Sequence, residues 1–172
     1  MKNQKPVFNV KKLASTGITL SAALIIGIVE SLLPPVIPVL PFLRIGFSNI
    51  VLLFALIVFG PREAFLIAAL KSVLVPLFVG NPVMIAYSLP SAILSLGVSA
   101  SLACTKKLGL PLISTISSLV HNLSQLCVAA LMTGTAIVFG YAPYLIFTGT
   151  LAGLAVGLTT YFVIRALPDN LV

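Results

Sequence analysis

Apolar positions in this chain run in long blocks and do not alternate with polar ones. Six blocks stand out, at residues 13–33, 47–60, 63–79, 83–104, 112–133 and 142–166, separated by Pro, Gly and Lys/Arg. A helix crossing a bilayer needs about 20 apolar residues, within a range of about 17–25. The blocks therefore predict an all-α integral membrane protein, a bundle of six transmembrane helices, with the second block short. One connection is unusual. Residues 34–46 read PPVIPVLPFLRIG, and Pro34, Pro35, Pro38 and Pro41 exclude a regular helix there. Because the segment stays apolar, it is expected to lie against the bundle or to dip into it, where irregular backbone survives only against protein or a cavity.

Charge sharpens this picture. Of 172 residues 59% are hydrophobic and 8% charged, against about 25% charged in soluble domains. Lys2, Lys5, Lys11, Lys12, Arg62, Lys106, Lys107 and Arg165 fall on one side of the predicted topology, and Arg44 falls alone on the other. The positive-inside rule then puts both termini in the cytoplasm of a multi-pass protein of the cell membrane. A basic tail (1–12) precedes the membrane domain (13–166), and a short tail (167–172) follows it. The lysines before the first block resemble the start of a signal peptide, but no small-residue cleavage site follows, so the first helix is expected to be retained. The net charge of +7 thus reads as a topology signal, and with no basic run interleaved with aromatics no nucleic-acid partner is expected.

The acids are three, Glu30, Glu63 and Asp169, and the cysteines two, Cys104 and Cys127. Neither a carboxylate cluster for Mg²⁺ nor a metal-ligand spacing is present, so no metal, cofactor or enzymatic activity is expected. No P-loop is present either, so ATP hydrolysis would have to come from elsewhere.

Polar groups inside apolar blocks are candidates for function, because a charge at bilayer depth costs roughly 2.5–3.5 kcal/mol on insertion scales. Lys71 lies mid-block on a face with Ala64, Ala68 and Val75; it could hold an anionic ligand group, pair with Glu30, or do both in turn. His121, Asn122 and Gln125 make LVHNLSQL a polar stripe, extended by Ser114, Ser117 and Ser118. Glu30, Arg44, Asn49 and Ser88 fall in the outer half. One cavity open to the outside would gather Glu30, Arg44, Asn49, Lys71, Ser88, His121, Asn122 and Gln125. Strips of small residues recur at Ser15/Thr19/Ala23/Gly27, Ser88/Ser91/Ser95/Ser99 and Gly149/Gly153/Gly157. Such strips let helices approach closely in lipid. Packing within the bundle is the simpler use for each, docking of a partner the other.

Glu30 and Pro34, then RIGFSNIV (Arg44 to Val51), a basic residue at position 71, and H-N-x-x-Q (His121, Asn122, Gln125) together resemble the membrane proteins called heptaprenyl diphosphate synthase component I, or Gx transporters. The resemblance covers about residues 13–166. The family's second-span motif usually reads K-L-G-L-A-N and its third-span cation is usually arginine; here Arg44, Phe47, Ser48 and Lys71 depart from that. Lysine lacks the bidentate fork of arginine, so phosphate-type recognition would differ.

That family in turn is similar to the S components of energy-coupling factor (ECF) transporters. The similarity implies a substrate-binding subunit with six helices and a site near the outer face. It also implies docking through Ser15, Thr19, Ala23 and Gly27 to a transmembrane coupling subunit served by two ATPases. The implied cargo is a vitamin or an isoprenoid or quinone precursor with an anionic group. An accessory membrane subunit of a polyprenyl diphosphate synthase and a standalone secondary carrier are the alternatives. The chain itself cannot perform prenyl synthase chemistry, which rests on aspartate-rich motifs, with Asp169 as its one aspartate.

Overall fold

The computed structural model describes residues 10–33 and 46–167. Six α-helices follow one another: α1 (Val10–Leu32), α2 (Asn49–Val58), α3 (Pro61–Phe78), α4 (Met84–Cys104), α5 (Leu110–Thr133) and α6 (Ala142–Ala166), with a 3-10 segment (Ala136–Tyr141) leading into α6. No strand occurs among the described residues. Every helix end falls within three residues of the apolar block that predicted it. Proline and glycine punctuation sets several of them. Pro61, Pro111 and Pro143 sit in first turns, where a missing N–H removes no helical bond.

The bundle is apolar outward as well as inward. Ile18, Ile25, Leu32, Phe147 and Phe162 are all exposed, while many buried positions carry serine or threonine. Water would penalise so much exposed apolar surface. A bilayer does not, and there packing and interhelical hydrogen bonds hold helices together instead. Four stretches are long and apolar enough to cross a membrane: α1, α4, α5, and α6 with its preceding 3-10 segment. The chain is therefore a multi-pass membrane protein. Two helices fall short of the expected six spans. Arg62, Glu63 and Lys71 lower the apolarity of α3, and α2 has only ten residues. At 1.5 Å per residue α2 rises about 15 Å, half of a hydrocarbon core about 30 Å thick.

Lys12 at the start of α1 pairs with Glu63 at the start of α3, and Gly27 meets Val75 further along, so these two helices run parallel. The short connections after α2, α3, α4 and α5 reverse direction each time. Lys12, Arg62, Lys106, Lys107 and Arg165 consequently gather at one end, called the basic end below.

Two small-residue strips have clear structural uses. On α6, a Cβ at Gly149 would fall 2.5 Å from Asn122 Nδ2, one at Gly153 2.7 Å from Thr115 Cα, and one at Gly157 2.5 Å from Pro111 Cα. The glycines let α5 and α6 touch backbone to backbone. On α1, Thr19, Ala23 and Gly27 are buried with Glu30, Ser15 is half-buried, and a Cβ at Gly27 would lie 2.9 Å from Val75 Cγ2. Thr19, Ala23 and Gly27 thus face into the bundle, where the α1–α3 crossing needs small residues.

Candidate functional site

The buried start of α2 is the centre of the site. Gly46 has φ +87°, a conformation that side-chain-bearing residues rarely adopt, and a Cβ there would lie 2.7 Å from Asn49 Nδ2 and 3.6 Å from His121 Cδ2. The absent side chain at Gly46 lets the chain turn into α2 while touching α5.

Glu30 of α1 reaches this turn. Its carboxylate accepts the Gly46 N–H at 2.5 Å and, through the other oxygen, the N–H and hydroxyl of Ser48, each at 3.4 Å. A carboxylate at a helix start takes up N–H groups that have no partner in the helix and favours the positive end of its dipole. Lys71 of α3, 6% exposed, donates to Ser48 Oγ at 2.7 Å. Glu30 and Lys71 are therefore joined through Ser48, a relay between buried opposite charges.

His121 stands on the other side of the Gly46 turn. Gln125 Nε2 donates to His121 Nε2 at 3.1 Å, which assigns the ring proton to Nδ1, 3.5 Å from Ser95 Oγ of α4. Ser95 Oγ in turn donates to Ala92 O, and Ser117 Oγ donates to Ser95 O at 2.8 Å. Gln125 and His121 share a face because four residues make about one helical turn.

Five of the predicted residues thus converge: Glu30, Asn49, Lys71, His121 and Gln125. Asn122 does not join them. Adjacent positions on a helix point about 100° apart, and Asn122 turns to α6, where Nδ2 donates to Leu145 O at 3.0 Å and the side chain lies over Gly149. Ser88 is met at its backbone, where its carbonyl accepts from Ser72 Oγ at 3.5 Å. Arg44 and residues 34–45 of the proline-rich connection lie outside the described residues. Ser48 and Ser95 are the residues missed. Ser48 stood inside the RIGFSNIV motif, and Ser95 on a serine face that also reads as packing. Asn49 Oδ1 is buried and takes no hydrogen bond among the described residues. No group of three His, Cys, Asp or Glu that could hold a metal occurs among them either.

A bundle of apolar-faced helices, with an acid, a lysine and a histidine gathered about a half-length helix, defines a membrane protein with a buried polar cluster. Residues 19–163 match the family described as heptaprenyl diphosphate synthase component I. The chain belongs to that family. A comparison with curated proteins finds no match.

Proposed function

We propose that the chain is a membrane substrate-binding subunit of the S-component type, which takes up a small molecule with an anionic group and an apolar remainder. In this reading all six helices cross the membrane, α2 together with the connection before it. The basic end and both termini then face the cytoplasm, by the positive-inside rule. The cargo is a vitamin or an isoprenoid or quinone precursor, and a separate transmembrane coupling subunit with two ATPases supplies the energy.

One observation carries this reading: Lys71 and Glu30 are buried and joined through Ser48 at the start of a half-length helix. Half-helix starts inside membrane proteins suit anionic groups, with N–H donors and the dipole pointing at them. Glu30 holds those donors when no cargo is bound. A cargo anion would take its place and pair with Lys71, while His121 and Gln125 fix the polar group and Asn49 offers its buried oxygen.

Native purification followed by mass spectrometry tests the reading, because it identifies bound small molecules and partner proteins together. A bound anionic ligand, co-purifying ATPases, and uptake lost in Lys71→Ala and His121→Ala are the expected results. No ligand, with uptake unchanged in both variants, overturns it. The family's name favours a second reading, an accessory membrane subunit of a polyprenyl diphosphate synthase. That reading predicts co-purification with a soluble, aspartate-rich partner in place of ATPases.

A further inference from the structure

Below the His121 cluster lies a cavity of about 20 Å³, bounded by Gly46 and Asn49 at the start of α2, Ser99 of α4, Ser114 and Ser118 of α5, and Gly153 of α6. It shares Gly46 and Asn49 with the site above. From there it extends towards the basic end: Ser114 stands four residues from the Leu110 start of α5, and Ser99 five from the Cys104 end of α4.

Three buried serines here depart from the usual helix pattern. A serine inside a helix usually returns its hydroxyl to a carbonyl one turn back, as Ser91 does to Tyr87 O at 2.7 Å. Ser99, Ser114 and Ser118 are 4%, 5% and 7% exposed. Their hydroxyls make no such bond among the described residues and line the cavity instead. Asn49 lines the same wall. Several buried polar groups around a space of this size are the conditions under which a cavity holds about one water; apolar cavities stay dry.

We propose that this cavity is a hydration site and the inward leg of the polar route, joining the His121 cluster to the basic end between α4, α5 and α6. The hydration site stands on the buried serines that line the cavity. The inward leg rests on the uptake reading above. Ser117 is the link, since it lines the cavity and its hydroxyl bonds to the carbonyl of Ser95, whose own hydroxyl faces His121.

The test uses the full chain, with Cys104 and Cys127 replaced by alanine, in sealed vesicles. Ser99→Cys, Ser114→Cys and Ser118→Cys are made singly, since a thiol nearly matches a hydroxyl in size. Ala68→Cys, in the fully buried core, is the dry control. Lys107→Cys, exposed at the basic end, reports which side that end faces. Silver ion is the probe, small enough for a water-sized space, and thiols left unblocked are counted with a maleimide after unfolding. Blocking of the three cavity thiols from the basic-end side should run about tenfold or more faster than that of the control, since thiol reactivity needs access and ionisation. Rates equal to the control would show a dry cavity and overturn the proposal, and blocking only from the opposite side would overturn the inward leg. If a variant fails to fold, magnetisation transfer from water to the serine side chains of the unsubstituted protein decides: transfer supports hydration and its absence overturns it. None of these measurements needs the cargo. Loss of the Lys71 site reading and loss of the hydrated leg are therefore separate results.

Discussion

Three side chains and one glycine set the character of the site. Glu30 and Lys71 are buried opposite charges linked through one serine, and neutralising either removes a charged group from a buried network, which is destabilising. Glu30→Gln and Lys71→Met should each lower the thermal midpoint in detergent. The double substitution should destabilise by less than their sum, because both changes break the same link through Ser48. Additive losses would mean that the two do not act through Ser48. Gly46→Ala forces a side chain into a positive φ and against Asn49; about 1–2 kcal/mol of destabilisation is expected from the backbone alone. If its melting curve overlays that of the unsubstituted protein, the turn at Gly46 is not rigid. Ser48 could have been picked out from sequence only as the polar residue next to Asn49. Its role arises because α1 and α3 meet at it from either side.

Among helices, the close contact of α5 with α6 and the inward strip of α1 decide how tightly the bundle closes. Gly157→Ala puts a methyl 2.5 Å from the backbone of Pro111, which cannot move aside, so it should destabilise clearly. Gly17→Ala meets nothing within 4 Å on the exposed face of α1 and should stabilise by about 0.5–1 kcal/mol through helix propensity. Melting curves of the two variants would check the pair, and shifts of the same sign would contradict the packing described. The sequence showed three small-residue strips and could not rank them. Spacing says that a face is small; only the neighbouring helix says what that smallness accommodates. For α1 the neighbour at Gly27 is α3 of the same chain.

Over the whole molecule, charge and apolarity act together. Apolar side chains cover the outside, the described basic residues other than Lys71 gather at one end, and a polar seam runs from Glu30 and Lys71 past His121 to Ser114. Cysteine labelling from each side of the membrane, with Cys104 and Cys127 replaced by alanine, Lys107→Cys for the basic end and Ala136→Cys, exposed in the segment between α5 and α6, as its counterpart, should label the first from the cytoplasm and the second from outside. The reverse pattern would refute the proposed orientation.

The sequence by itself determined the helices, since runs of apolar residues bounded by proline, glycine and charge leave a chain in lipid no other way to satisfy its backbone. It also marked Glu30, Asn49, Lys71, His121 and Gln125, because polar groups stand out against an apolar background. Tertiary structure alone decided which of these meet. Asn122 and His121 are neighbours in the chain yet diverge, as consecutive side chains on a helix must. Glu30 and Lys71 are 41 residues apart in number and are joined by Ser48. The half-length of α2 was decided in the same way: the block at 47–60 was apolar enough for a longer helix, but the left-handed backbone at Gly46 and the burial of Ser48 beside Glu30 fix its start at Asn49.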